Sequence, residues 1–386
     1  MKLKKNVYCL LAFLIVGNAS LQAQSSDPFG EFNPRDYKEN MTINAQVQQN
    51  GAIVTNALVA VYCGEELRGK KQVGDGTDPN LVFLSVYGDN TGSNQYLYFK
   101  VYTNGVTFTY NPDPAIVFSS NGTIGTKLEP HVITLPVSLA NADDNSDVLT
   151  TYNTQNVDVV LTNRTIYKDG YWNTLCLPFN VTISSSVLAG ADVRALSTAS
   201  FENGTLTLYF TPETGEGAVT ELLAGTPYII KWTSGDNLVS PVFTDVTINT
   251  AKSDKVCDLG GGRSITFTST FSPIVFDKGT ARNDILFLGG NNNLYYPDGE
   301  EATTINTCRG YFTLNGITAG DPDGSGATIK RTILNFGDEG DATEIETVNH
   351  EPLTINQVYD LSGRRLDGVP TAKGVYIVNG RKVVIK

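Results

Sequence analysis

Histidine occurs only at His131 and His350 in 386 residues, so little conventional acid–base chemistry is on offer. His350 stands beside Asn349 in an acidic stretch, where a solvated side chain is expected. His131 follows Pro130 at the start of a strand-like run; an imidazole can titrate there as a switch, but a purely structural residue is the stronger reading. No histidine or cysteine pair has the spacing of zinc ligands, and no Ser-His-Asp set can be assembled. Gly260-Gly261-Gly262-Arg263 precedes a strand-like run and carries no Lys-Ser/Thr. It therefore reads as a turn, because a phosphate loop needs backbone donors at a helix start. Asp321-Pro-Asp-Gly-Ser-Gly326 resembles the first half of a calcium loop, with Asp321 and Asp323 as ligands. Thr332 stands where the closing bidentate Glu is needed, so a hairpin loop is the stronger reading. No catalytic residue, metal or cofactor is expected. Paired carboxylates leave no sequence spacing, so a glycoside-acting enzyme stays open as an alternative. The remaining chemistry is aromatic: Trp172, next to Tyr171, and Tyr295-Tyr296, after three asparagines, are the candidates for a flat glycan platform. Aromatics at such turn-adjacent positions more often close the end of a sandwich.

These residues sit in a chain whose periodicity is that of strands. Thr165 to Val181 is its densest core-forming stretch. Asp169-Gly170 reads as the turn of a hairpin there, and Trp172, Leu175, Leu177 and Phe179 are expected core. Pro178, lacking an N–H, places this strand at a sheet edge or near a strand end. From Met41 to Pro136, short strands alternate with Asn50-Gly51, Gly74-Asp75-Gly76, Asn104-Gly105 and Asn121-Gly122. That punctuation suggests a sandwich. A larger β region runs over 152–336, with short helical turns expected only near 184–188 and 220–223. The expected fold is all-β: two β-sandwich-like domains and a small C-terminal β-hairpin unit. Boundaries follow composition: a flexible lead over 24–40, domains over 41–139 and 152–336, acidic linkers over 140–151 and 337–354, and a tail over 355–386.

The first 23 residues combine a basic start, an apolar run from Val7 to Val16 and a small residue at Ala23. This is the pattern of a secretory signal peptide cut after Ala23. The run falls short of the roughly 20 apolar residues that span a bilayer, and no later segment does better, so no transmembrane segment is expected in the mature chain. Net charge is −12, becoming −15 once Lys2, Lys4 and Lys5 leave with the signal. Nucleic acid and bare anionic membranes need a basic footprint and are not expected partners. Cys63, Cys176, Cys257 and Cys308 remain, at spacings unlike a compact disulfide framework. Free buried thiols and a Cys257–Cys308 bridge are both open readings.

The last 30 or so residues contain the clearest hairpin, Gly374-Val-Tyr-Ile-Val378 and Arg381 to Lys386 about Asn379-Gly380. Its register would set Tyr376 opposite Val383 and Val375 opposite Val384, with Gln357 to Leu361 as a third strand. Tyr359 and Gly363, then Gly374 and Tyr376, then the basic-apolar-basic end from Lys382 to Lys386, resemble a shortened C-terminal sorting domain of the type IX secretion system. The resemblance implies engagement of that secretion machinery and delivery to the cell surface or outside. Lys168 to Phe179, Ala224 to Ile230 and Arg309 to Phe312 are similar to a β module of exported Bacteroidetes surface proteins that occurs beside leucine-rich or immunoglobulin-like repeats. Val61 to Gly69 and Phe83 to Gly88 are similar to an amino-terminal module of such proteins. The resemblance implies an adhesin-like or scaffold role toward a glycan or a surface protein. A pilus-like structural subunit is the further alternative.

Overall fold

The computed structural model describes residues 27–89, 93–320, 327–337, 343–346, 358–360, 365–366, 374–378 and 381–385. The signal cleavage position Ala23, the calcium candidates Asp321 and Asp323, and Gly363, His350 and Lys386 lie outside them. The fold is all-β and sandwich-like. Among the described residues the single α-helix is Ser146–Tyr152, and no helix is long and apolar enough to cross a membrane. The chain divides into two compact units, Met1–Leu135 and Pro136–Lys386.

The first unit is organised on the strand Glu39–Gln49, whose alternate residues Met41, Ile43, Ala45 and Val47 are buried while their neighbours face outward. That period of two is what a half-buried strand requires. It pairs antiparallel with Val82–Gly88 and parallel with His131–Thr134. A second sheet, in the order Glu66–Gln72, Leu58–Cys63, Tyr96–Thr103, Val106–Tyr110, covers its apolar face. The two approach most closely at Gly69, where a Cβ would fall 2.3 Å from the Ser85 carbonyl oxygen. Phe99 of the second sheet stacks on His131 of the first, centroids 5.7 Å apart. Asn50-Gly51 and Asn104-Gly105 close two-residue hairpins with both residues at positive φ, the conformation that makes Asn-Gly the preferred pair.

Among the described residues the second unit holds two large cores and a small third cluster at Phe276, Ile285 and Ile305. A six-stranded sheet runs in the order Asn173–Cys176, Pro227–Lys231, Asp192–Glu202, Thr205–Phe210, Arg331–Asn335, Thr343–Glu346. Val137–Ala140, Asn156–Thr162 and Val242–Thr247 form a sheet that contributes Leu139, Val159, Leu161 and Phe243 to the first core, with Leu175, Tyr228 and Ile230. A five-stranded sheet containing Lys255–Gly260, Arg263–Thr270 and Arg309–Asn315 supplies Ile265, Phe267 and Phe312 to the second core, with Leu206, Leu208 and Ile229. Phe267 and Phe312 are cross-strand partners stacked at 4.5 Å. Gly260, Gly261 and Gly262 all have positive φ and turn one strand into the next, with no helix following them.

Several expectations need correction. Residues 140–151 do not form a linker: the helix Ser146–Tyr152 buries Leu149 in the first core, while Asp144 and Asp147 stay exposed. Buried Asn145 accepts from the Ala140 amide and donates to the carbonyls of Ala140 and Phe271, tying the segment down. Within 337–354, Thr343–Glu346 pairs with Arg331–Asn335. Residues 183–185 form a 3-10 turn, but Glu221–Leu222 is a strand. The four cysteines are free, with Cys257 in the second core and Cys308 in the first, so no bridge joins them. In the tail, Arg365–Leu366, Val358–Asp360, Gly374–Val378 and Arg381–Ile385 form an antiparallel sheet in that order. It sets Tyr376 opposite Val383, Val375 opposite Val384 and Tyr359 opposite Ile377. Gly374 and Lys382 lie in the same strand pair.

Two measurable consequences follow from burial. His131 packs against Phe99 and Tyr110 with Nε2 buried and without a hydrogen-bond partner among the described residues, and desolvation lowers its pKa below 6.5. The unfolded chain recovers the ordinary value, so protons favour unfolding. Stability is full above pH 6.5 and declines as the pH falls from there toward the folded-state value. Denaturant midpoints taken at about pH 8 and about pH 5 should differ less in His131→Phe than in the wild type. The thiols should separate likewise: Cys176, Cys257 and Cys308 are buried and burial raises the pKa of each, whereas Cys63 is only half-buried. Iodoacetamide labelling followed by peptide mapping should mark Cys63 in the native chain and the other three only after unfolding.

Candidate functional site

Asp169-Gly170 does not close a hairpin. Thr165–Ile166 pairs with Leu238–Val239, while Asn173–Cys176 pairs with Pro227–Lys231, so the two arms belong to different sheets. Only Gly170 of the pair has a positive φ, and a two-residue type I′ turn needs both. The segment between the arms becomes a loop held by its own side chains. Asn173 accepts from the Tyr167 amide at 3.1 Å and donates to the Tyr167 carbonyl at 2.9 Å. The Asp169 carboxylate accepts from the Tyr171 amide, and Gly170 N–H donates to the Trp232 carbonyl. Asn173–Cys176 is the edge of its sheet and Pro178 follows its end, as the missing N–H demands.

Facing this loop is the turn after Ile285–Leu288. Asn291 and Asn292 both take left-handed backbone, which Asn tolerates better than most residues. Asn292 Oδ1 accepts the Trp172 backbone N–H at 2.7 Å, joining the two loops. Between them lies a cleft of about 340 Å³, inside the range of roughly 300–1,000 Å³ common for small-molecule sites. Tyr167 and Tyr171, 52% and 44% exposed, stand at it with Asn291 and Trp172. Its floor carries Arg164 and Arg309.

Both arginines follow a non-glycine residue at positive φ, Asn163 at 61° and Cys308 at 54°. Such residues re-aim the chain sharply, and here each follows or precedes a strand end. Arg164 is 3% exposed, and its Nη2 donates to the Thr174 carbonyl at 2.8 Å. Its Nε and Nη1 are buried with no hydrogen-bond partner among the described residues. Arg309 Nη1 donates to Asn141 Oδ1 at 2.8 Å and to the Thr307 carbonyl at 3.2 Å. Neither guanidinium has an ion pair among the described residues. Burial, and then the charge of Arg309, draws Arg164 down to about 9; burial draws Arg309 down to about 10. Both stay cationic at neutral pH. Cys308 between them is pushed up to about 11 by burial and stays a thiol. Leaving buried donors unpartnered costs on the order of 1–3 kcal/mol each, more for charged groups, so the floor is held at a cost to stability.

The candidate aromatics divide between the packing and platform readings. Trp172 is not an exposed platform. It is 5% exposed in the second core, stacked on Phe336 at 5.0 Å, with Lys231 Nζ 4.4 Å from its ring centre. Its large apolar area explains why packing claims it. Tyr295 does not line the cleft. It stacks on Phe287, its cross-strand partner, and covers Gly289, where a Cβ would meet the ring at 2.6 Å, so it braces the asparagine turn from behind. Tyr296 packs against the second core and over Gly320. Tyr167 and the arginines were not singled out by sequence. Arginine is usually a surface residue, and the one available signal was the pair Asn163-Arg164, a left-handed former at a strand end.

Among the described residues no group of three or more His, Cys, Asp or Glu is placed to hold a metal ion. No family model matches the chain, and neither curated proteins nor solved structures yield a similar one. Geometry alone therefore carries the functional reading.

Because Trp172 serves the core and also anchors the cleft through its backbone, Trp172→Ala should cost about 3–5 kcal/mol. Chemical denaturation would register this as a lower midpoint.

Proposed function

We propose that this chain is a non-enzymatic, exported surface protein, adhesin-like, whose second unit takes a glycan in the cleft between residues 165–174 and 288–291. The observation that carries the reading is the pair of half-exposed tyrosines, Tyr167 and Tyr171, at the mouth of a formed cleft. Sugar rings present apolar C–H faces that pack on such aromatic surfaces, and Asn291 offers a side-chain amide to hydroxyl groups. The loop that carries the tyrosines is fixed by the Asn173 amide and by Asn292, so little ordering is left for a ligand to impose.

Glycoside hydrolysis by the usual route needs two acids flanking the bond, about 5–9.5 Å apart. Among the described residues that line the cleft, Asp169 is the one carboxylate, and it is engaged with the Tyr171 amide. This supports binding over turnover. The antiparallel tail sheet, with Tyr376 opposite Val383, supports reading residues 355–386 as a folded sorting-like unit that would engage a secretion machinery.

A glycan array probed with the wild-type chain and with the Tyr167→Ala/Tyr171→Ala double variant tests the reading. Binding should weaken tenfold or more, about 1.4 kcal/mol, with an unchanged melting temperature, because both rings are half-exposed. Release of shortened glycan during incubation would replace the reading with an enzymatic one.

A further inference from the structure

We propose that Arg164 and Arg309 form an anion-recognition floor in the cleft, and that its ligand is a glycan bearing a carboxylate, of the uronate or sialate kind. The inference rests on the glycan reading above and names the class of sugar. Its first support is the state of Arg164. The side chain is 3% exposed, lies on the wall of an open cleft, and leaves Nε and Nη1 without a partner among the described residues. A guanidinium is a planar fork whose N–H groups match the two oxygens of a carboxylate.

The second support is a comparison within the same unit. Arg194 is also buried, at 2% exposure, yet its Nε and Nη2 donate to both Asp192 oxygens, and its Nη1 to the carbonyls of Thr211 and Phe336. At Arg194 the fold supplies a carboxylate to the buried guanidinium. At Arg164 it supplies a second arginine instead, and that one is held from behind by Asn141 and Thr307. Two cations lining one cleft, neither with an ion pair among the described residues, are an arrangement completed by an anion from outside.

The third support is the order of groups from floor to mouth. A carboxylate on the arginines would leave its pyranose ring toward Tyr167, Tyr171 and Asn291, the groups that suit a sugar. The exposed Asp169 carboxylate stands at the same mouth and disfavours a second negative charge there. A single acid group at the buried end is therefore the fitting charge pattern.

The test uses the full chain on an array that carries uronate and sialate glycans beside their methyl esters, which keep the sugar and remove the charge. The expected result is binding at least tenfold stronger to the acids than to the esters, with the difference abolished in Arg309→Met. Arg164→Met should lose acid-selective binding while its melting temperature rises, because an unpaired buried charge has been removed; a purely structural arginine would give a lower one. Equal binding of acids and esters overturns the anion floor and leaves the glycan reading standing. Thermal stabilisation by a glutamate-rich peptide with no glycan bound keeps the carboxylate contact but overturns the sugar. No binding to any acid, sugar or peptide, with Arg164→Met less stable than wild type, overturns the inference entirely.

Discussion

The second unit depends on one strand being apolar on both faces. In Pro227–Lys231, Tyr228 and Ile230 belong to the first core and Ile229 to the second. An ordinary half-buried strand would alternate apolar with polar residues; this one cannot, because neither side meets water. Burial of each such side chain stabilises by roughly 1.5–3 kcal/mol. The strand also places the cleft. Asn173, whose amide closes the Tyr167–Tyr171 loop, is the register partner of Ile230. Lys231, at the strand's end, reaches over the Trp172 ring and toward Asp192. The cleft loop is thus an extension of the packing between two cores.

Against that background, what could be read from sequence follows a physical line. Asn50-Gly51 and Asn104-Gly105 were legible because a two-residue turn makes a local demand, left-handed backbone at both positions, that those residue types meet. The alternation of Ile43, Ala45 and Val47 was legible because one face of that strand is exposed. Leu175, Leu177 and Phe179 were legible as core by area alone. Asp169-Gly170 misled because its partner strands are dictated by distant segments, Pro227–Lys231 and Leu238–Val239. The helix Ser146–Tyr152 was hidden by the acids at and before its start, Asp143, Asp144 and Asp147, and its one buried residue, Leu149, leaves too little periodicity to register.

The cleft was half legible. Aromatic residues near 172 and asparagines near 291 pointed to the right pair of loops: Trp172 packs inward, as its core reading required and its platform reading did not, while Tyr171 and Tyr167 face outward. The floor was not legible at all. Arg164 and Arg309 are 145 positions apart, and nothing in their types distinguishes a buried, unpaired guanidinium from a solvated one. What separates Arg164 from Arg194 is the company each keeps, Arg309 for one and Asp192 for the other.

That company sits inside a strongly acidic chain, whose formal charge is −12. At low ionic strength the outer field repels an approaching anion even though the cavity floor attracts it. Near physiological ionic strength the Debye length is about 8 Å, short enough to mute distant surface carboxylates, while guanidinium groups withdrawn from solvent are muted far less. Capture by such a cleft is therefore a short-range event, and its encounter rate is better served by saline surroundings than by dilute ones.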